Sequence, residues 1–476
     1  MPKINLVDFM LTDFEEEGSS LVSVAAGGRS HEPAGIIYLG GYLETKGHEI
    51  KIVSPTQSRP IITRERILEG NPRLIGFSST TPDFPEIVEA AKAVKRTSNI
   101  PIVIGGYHVL TDLNDVISRD CFDYVIAGEG QLGFEDLIKS LTGEMNITDV
   151  RGRIYRNGKL VADNFERFDI DKTPRASRTP ELMEGLSRNE LFYPAASKNK
   201  FAMIQASAGC VYSCSFCQSN QMFPKGIRYR SVKSIITEME ECIEKFGTNS
   251  FLFTDSTFYG GNNNIQGIRE LCAAIEKLGV SVYTMLRLDT DDAVFDALDG
   301  INGRLGVGVE SFVDEGIKSG IKCSPQEYLT KVQRFAKKTN DMGMFSRGYF
   351  IMGRGESKED ILEESRCLAQ SGLTDFRTAF LVPALTSVQK ESLYDAGKIY
   401  TKRLQDFDGN HPIVQSPNLS ADDLVELRKQ SYLDFFRRPE YAMQVADHVQ
   451  RFPYLEKSYM EFNKILKKSL GKGFTI

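Results

Sequence analysis

Short apolar runs alternate with amphipathic stretches in two separate series, and this alternation restricts the fold more than any other feature of the chain. The first series contains Ile4 to Val7, Ile50 to Val53, Leu74 to Phe77, Ile102 to Ile104 and Tyr124 to Ile126. Apart from Asn5 and Lys51 each run is apolar, the pattern of a parallel strand covered on both faces. The stretches between them, such as Ala34 to Lys46 and Phe84 to Lys95, have helical periodicity. Asp83 followed by Glu86 predicts a capping box at the start of the second of these. Strand–helix alternation over 1–143 predicts a doubly wound, Rossmann-like α/β domain with ligands bound beyond the carboxyl ends of its strands.

The second series begins after a polar, proline-containing arm over 144–200, which carries two short strand signals, Gly152 to Tyr155 and Leu160 to Ala162. Strands are predicted at Phe201 to Ala206, Ser250 to Thr254, Val280 to Arg287, Leu305 to Val309, Met344 to Ile351 and Phe376 to Leu381. Helices are predicted between them at Val232 to Phe246, Ile265 to Leu278 and Pro325 to Lys338. Six βα units over 201–385 predict a partial (β/α)6 barrel with a lateral mouth. The remainder, 386–476, reads as a helical C-terminal region; Ser420 with Asp423 predicts an N-cap, and Tyr432, Phe435 and Phe436 line one face as packing for the barrel.

Directly after the first barrel strand lies Cys210-Val211-Tyr212-Ser213-Cys214-Ser215-Phe216-Cys217, a C-x3-C-x2-C run with an aromatic residue before the last cysteine. Three thiolates are one short of a structural zinc site, and no Cys/His pair with zinc spacing lies elsewhere. They suit a 4Fe-4S cluster with one open iron. Cys121, Cys242, Cys272, Cys323 and Cys367 are scattered singly and read mainly as small buried hydrophobes.

The cysteine run resembles the signature of the radical S-adenosylmethionine (SAM) enzymes. That resemblance implies a 4Fe-4S cluster whose unique iron chelates SAM and whose electron splits it to methionine and a 5′-deoxyadenosyl radical. Barrel chemistry sits at the carboxyl ends of strands, which singles out Asp255, Arg287, Glu310 and Ser311, with Arg347 on the fifth strand. Gly306-Val307-Gly308-Val309-Glu310-Ser311 is similar to the family's fourth-strand segment, which implies that Glu310 contacts SAM, helped by Ser311 or Arg347. Phe216 resembles the aromatic residue that flanks the adenine, and Gly353-Arg354-Gly355-Glu356 resembles the family's glycine-rich turn, with Arg354 in place of the usual proline.

The first domain resembles the cobalamin-binding domain that precedes the barrel in one branch of this family. The likeness rests on Glu32 to Leu39, Lys46-Gly47-His48-Glu49, Gly105-Gly106-Tyr107-His108 and Gly128-Glu129-Gly130. It implies that Ser78, Thr80, Gly105, Gly106, Gly128 and Gly130, at the strand ends, border cobalamin. No Asp-x-His-x-x-Gly is present, so no histidine of that motif would sit on cobalt; a domain that has lost cobalamin also fits these residues.

The net charge of −6 over 476 residues is spread in mixed sign, which argues against nucleic acid as a partner, and no apolar run is long enough for a membrane span. With no secretory signal and few cysteines, the expected compartment is the cytoplasm. The resemblance implies a small-molecule substrate, an electron donor such as flavodoxin or ferredoxin, and cobalamin-dependent C-methylation in a biosynthetic pathway. The alternative is a cobalamin-free dehydratase, cyclase or rearrangement enzyme on the same scaffold. A methylthiotransferase is disfavoured, because only Cys121 lies in the first domain where those enzymes carry a second cysteine trio.

Overall fold

The computed structural model describes residues 2–9, 32–56, 62–173, 175–184, 200–212, 214, 216–217, 219, 223, 226–313, 321, 323–383, 397–460 and 462–463. The stretch 185–199 of the expected arm lies outside them. In the first sheet, strands β1 (Lys3–Asp8), β2 (Glu49–Val53), β3 (Leu74–Ser79), β4 (Ile102–Gly106) and β5 (Tyr124–Ala127) run parallel in the order β2-β1-β3-β4-β5. Separate apolar clusters cover its two faces, one built around Leu6, Val103 and Phe134 and the other around Val7, Ile75 and Ile104. The largely apolar inner strands are therefore buried on both sides, as the sequence predicts, while the edge strand β2 is only partly buried. The two strand signals in the arm form a hairpin, β6 (Gly152–Arg156) and β7 (Lys159–Asn164), which adds antiparallel to β5.

The second sheet contains β8 (Phe201–Ile204), β11 (Ser250–Phe253), β12 (Ser281–Leu286), β13 (Asn302–Glu310), β14 (Phe345–Met352) and β15 (Asp375–Phe380). Its order β15-β14-β13-β12-β11-β8 is wholly parallel, and β8 and β15 are its two edges. A two-residue ribbon, β9 (Ser207–Ala208) with β10 (Arg228–Tyr229), follows β8. The expected α/β class, Rossmann-like domain and partial barrel are all present.

The capping box expected at Asp83 does not form. Asp83 is itself αR, and its carboxylate accepts from the Thr80 hydroxyl at 2.5 Å instead of capping the helix Phe84–Lys95. Pro85 leaves that first turn one N–H fewer to satisfy. By contrast Ser420 and Asp423 make a complete box.

Two helices tie the sheets together. Helix α1 (Ala34–Thr45) belongs to the first domain and α2 (Val232–Phe246) to the barrel. Between them Arg178 binds Glu32 and Glu238, and Arg230 binds the other oxygen of Glu238, with side chains 3, 0, 1 and 1 % exposed respectively. Glu32 also accepts the backbone N–H of Met203 on β8, while Tyr38 of α1 donates to Glu238 at 3.2 Å and accepts from Gln205 N–H at 2.8 Å. Burial pushes the Glu32 carboxyl upward in pKa; at Glu238 the same burial is outweighed by Arg178 and Arg230, which hold it low.

Breaking a buried ion network by removing one member typically costs about 3–5 kcal/mol, because the remaining charges lose their compensation. Glu238→Ala should therefore lower unfolding stability by about that amount, read as a shift of the urea midpoint by circular dichroism. Glu241→Ala on the same helix, whose pairs with Arg175 and Lys245 are surface ones, should shift it little.

Candidate active site at the barrel mouth

The cysteine loop is pinned at its base. Gly209 (φ +97°) passes so close to the Gly226 carbonyl that any side chain there would collide with it, and the β9–β10 ribbon joins the chain entering and leaving the loop. Asp255, at the end of β11, is buried and accepts the N–H groups of Ala206 and Ser207 at 2.9 Å and of Tyr259 at 3.0 Å. Burial raises its pKa to about 6 in spite of these bonds. Its oxygens are thus spent on the backbone that carries the loop.

Cys210 and Cys214 are partly buried and Cys217 is exposed. Burial raises the Cys214 thiol pKa, opposed by Arg287, whose Nη1 lies 3.8 Å from Cys214 Sγ; Cys210 and Cys217 both bear on it. Arg287 is held by a two-point pair with Asp289 at 2.9 and 3.0 Å and by stacking 3.6 Å above the Tyr212 ring. Among the described residues no three candidate ligands converge on a single ion; a cubane takes one thiolate per iron, and three separately presented thiolates fit it. Phe216 is partly buried between Cys214 and Cys217. The isolated cysteines differ: Cys121, Cys242 and Cys272 are buried, and desolvation lifts their pKa to about 11, 12 and 12.

Glu310 closes β13 in a left-handed conformation (φ +64°), at a bulge in the pairing with β14. Its carboxylate folds back over Gly308, where a side chain would collide with it. Among the described residues its carboxylate has no hydrogen bond, and burial raises its pKa to about 8 against the pull of Arg287 and Arg354. A half-buried acceptor with no donor among the described residues, in a strained backbone setting, is what a cationic ligand such as SAM would complete. Arg354, at the position of the expected proline, bonds the carbonyls of Ile351 at 2.8 Å and Glu310 at 3.4 Å and the Glu364 carboxylate at 3.2 Å. It therefore anchors Glu310 from behind, a role the sequence pattern did not expose.

The Ser311 hydroxyl donates to Glu364, the carboxylate that also binds Arg354 behind Glu310. Arg347 lies elsewhere: it is only the third residue of β14, below the strand ends, where it is buried and paired with Asp375. Arg287 and Glu310 thus meet at the mouth with the cysteine loop, Asp255 braces that loop from beneath, Ser311 stands behind Glu310, and Arg347 is not brought to the same spot.

The first domain's strand ends face this loop. Arg228, leaving it on β10, makes a two-point pair with Glu129 in the Gly128-Glu129-Gly130 turn and donates to Phe168 O at 2.6 Å. Tyr107, beside Gly106, is close enough to Cys217 for that thiol to help raise its pKa, after burial. A Cβ on Gly128 would meet nothing within 4 Å, so Gly128 borders open space, whereas on Gly105 or Gly130 it would make ordinary contact with Ile126 O at 3.5 Å or Leu39 at 3.9 Å without a clash. Gly106 differs: a Cβ there would lie 2.5 Å from Ser79 N, so it packs β4 against β3. Ser78 is partly buried, and exposed Thr80 donates to Asp83. His108 is fully buried away from this opening, with Nδ1 3.1 Å from the Thr81 hydroxyl and its ring 4.2 Å from Phe84. Among the described residues no histidine lies in this glycine cradle, which fits a corrin bound without such a ligand.

Two family profiles match: the B12 binding domain over 21–138 and the radical SAM superfamily over 204–368. The chain belongs to the radical SAM superfamily, in the branch with an N-terminal B12-binding domain. This radical SAM enzyme is 24% identical over 427 residues to an uncharacterized methyltransferase of Pyrococcus horikoshii, covering 87% of this chain and 89% of that one. It is 22% identical to the cytidylyl-2-hydroxyethylphosphonate methyltransferase of Streptomyces wedmorensis, over 86% of this chain and 87% of that one. In fold it is similar to the radical SAM methyltransferase TsrM of Kitasatospora setae with cobalamin and a [4Fe-4S] cluster bound, at TM-score 0.69 and 15% identity over 98% and 99% of the two chains. It is also similar to OxsB with aqua-cobalamin and SAM bound, at TM-score 0.64 and 14% identity over 99% of this chain and 74% of that one.

Glu310 gives this radical SAM enzyme a pH signature. Its carboxyl is largely neutral below about 8 and carries the charge that a cationic ligand favours only above it. SAM affinity of the reconstituted protein, measured by equilibrium dialysis, should rise with pH up to about 8 and then level off. Glu310→Gln should flatten that rise and weaken binding at the plateau by about 1.5–3 kcal/mol.

Proposed function

We propose that the protein is a cobalamin-dependent radical SAM methyltransferase that methylates an unactivated carbon of a small molecule in a biosynthetic pathway. The observation that carries this reading is the shared opening. The glycine cradle of the first domain and the cysteine loop of the barrel meet across the Arg228–Glu129 pair. Cys210, Cys214 and Cys217 would hold three irons of the cluster. Glu310 and Arg287 would receive SAM, with Phe216 beside it and Asp255 keeping the loop in place. Gly105, Gly128 and Gly130 would admit the corrin, with Ser78 and Thr80 at its margin and Gly106 holding the two strand ends together. When bound, these groups supply a radical that removes a hydrogen atom and a methyl group that replaces it.

The residues around the opening account for the rest. Helix α3 (Ala421–Arg437) closes the edge of β15: Tyr432 accepts the Thr378 N–H at 3.0 Å and stacks on Phe376 at 4.4 Å. The barrel interior would then be the substrate chamber, where exclusion of water would protect a reactive radical. A flavodoxin or ferredoxin would deliver the electron, and the cytoplasm is the compartment that suits thiolate ligands and an oxygen-sensitive cluster. No helix among the described residues is long and apolar enough to cross a membrane. The similarity to methyltransferases favours methylation over the dehydratase or cyclase reading.

Ala at Cys210, Cys214 or Cys217 should abolish iron binding and SAM cleavage, while Ala at buried Cys272 should leave iron content near wild type. Gly105→Val, whose Cβ would contact Ile126 O at 3.5 Å without a clash, should block hydroxocobalamin binding without reducing iron content. Transfer of label from methyl-labelled SAM to a product is the expected outcome of turnover. Active SAM cleavage by a protein that takes up no cobalamin would overturn the methyltransferase reading.

A further inference from the structure

Donors from the ends of two neighbouring strands converge on Glu364, which stands in the middle of the helix Lys358–Gln370. From the turn after β13 its carboxylate accepts the Ser311 hydroxyl and, at 2.8 Å, the Phe312 N–H. From the turn after β14 it accepts Arg354 Nη2 at 3.2 Å. The ion pair is shielded, with the Arg354 side chain 5 % and the Glu364 side chain 15 % exposed. A shielded pair of this kind holds its geometry better than a surface one, because each partner depends on the other for its lost hydration.

The turn that Glu364 grips needs such a hold. Glu310 is left-handed (φ +64°) without being glycine, and the pairing of β13 with β14 slips at that point. A residue with a Cβ keeps that conformation only where its surroundings over-determine it. Arg354 Nη1 donates to the Ile351 carbonyl at 2.8 Å and to the Glu310 carbonyl at 3.4 Å, so it spans both strand ends. The Ser311 oxygen that donates to Glu364 also accepts the Val313 N–H at 3.0 Å. A side chain on Gly306 would face Met285, Tyr349 and Tyr283, and Gly308 lies two residues on, on the same face of β13. The Glu310 carboxylate lies over Gly308, so it is turned to that face while Arg354 and Glu364 hold its backbone.

We propose that Glu364 is a positioning residue for SAM: through Arg354 and Ser311 it fixes the turn that aims the Glu310 carboxylate at the ligand. The inference rests on the reading of Glu310 as the SAM acceptor. Glu364 governs how large a fraction of molecules holds Glu310 ready, and the apparent affinity scales with that fraction. Arg354 contributes charge as well as hold. Among the described residues the ionisable groups about Glu310 are Arg287 just beyond β12, Arg354 after β14, Glu364, and Tyr328 of the helix Pro325–Asp341. The two arginines pull the Glu310 carboxyl toward lower pKa, and burial outweighs them.

The test is SAM affinity of the reconstituted full chain, measured by equilibrium dialysis as a function of pH. Glu364→Ala should bind SAM about tenfold more weakly at the high-pH plateau with iron content unchanged, because an unsupported left-handed residue is held by a minority of molecules. Glu364→Gln, which keeps an acceptor oxygen for the Phe312 N–H, should lose less. Glu363→Ala, at the exposed neighbour paired with Arg366, should bind as the wild type does. Arg354→Met should also move the rise in affinity to higher pH, since one of the two cations drawing Glu310 down is gone, and Arg354→Lys should restore its position. The deciding comparison adds Glu364→Ala to Glu310→Ala. A residue that acts through Glu310 costs little more once that carboxylate is gone, whereas a general structural role gives losses that add. Where circular dichroism shows Glu364→Ala unfolded, Glu364→Gln carries the same comparison. Additive losses, or Glu364 and Arg354 variants that bind SAM as the wild type does, would overturn the assignment. Unchanged affinity in Glu310→Ala alone would instead remove Glu310 from SAM, and the positioning role with it.

Discussion

Four charged side chains with almost no access to water, Glu32, Arg178, Glu238 and Arg230, hold the two halves of this protein in one relation. A buried ion network is a poor source of net stability, since the desolvation of each charge offsets most of the attraction. Its value lies in direction. Each carboxylate oxygen has a required partner, and those partners come from the first domain, the connecting arm, β8 and α2. Apolar packing alone would tolerate sliding between α1 and the barrel, whereas Glu32 on Met203 N–H and Tyr38 at Gln205 N–H admit one register. With that register set, the Gly128-Glu129-Gly130 turn comes to Arg228 and Tyr107 comes to Cys217. The common opening of the two domains follows from a network at some remove from it.

Within the opening two carboxyl groups are pushed upward by the same cause and do different work. Asp255 loses hydration but gains three backbone N–H donors, so its place is to shape the chain entering the cysteine loop. Glu310 loses hydration and gains no hydrogen bond to its carboxylate among the described residues, only the attraction of Arg287 and Arg354. Unfilled hydrogen-bonding capacity at a buried charge marks a place where a ligand completes the structure.

What could be read from the sequence was whatever depends on neighbours along the chain. Predominantly apolar runs located the eleven parallel strands to within a few residues, because burial leaves a local signature. Cysteine spacing located the loop for the same reason. Side-chain roles set by distant partners were not readable. Glu32 finds Arg178 across 146 positions and Met203 across 171, and nothing local announces either contact. Arg347 looked like a strand-end residue, but strand position and pleat place it deep beside Asp375. Asp83 matched a capping box in composition, yet Thr80 claimed its carboxylate. Arg354 stood out only as a missing proline, and its part in anchoring Glu310 required the fold.

The claim on which everything else turns is that cluster and cobalamin occupy one opening. Electron paramagnetic resonance of the reconstituted protein, with the cluster reduced and cobalamin as cobalt(II), tests it most directly. Two paramagnetic centres facing each other across the Arg228–Glu129 pair should couple, splitting or broadening both signals relative to protein carrying either centre alone. A spectrum equal to the sum of the two separate signals would contradict a shared opening.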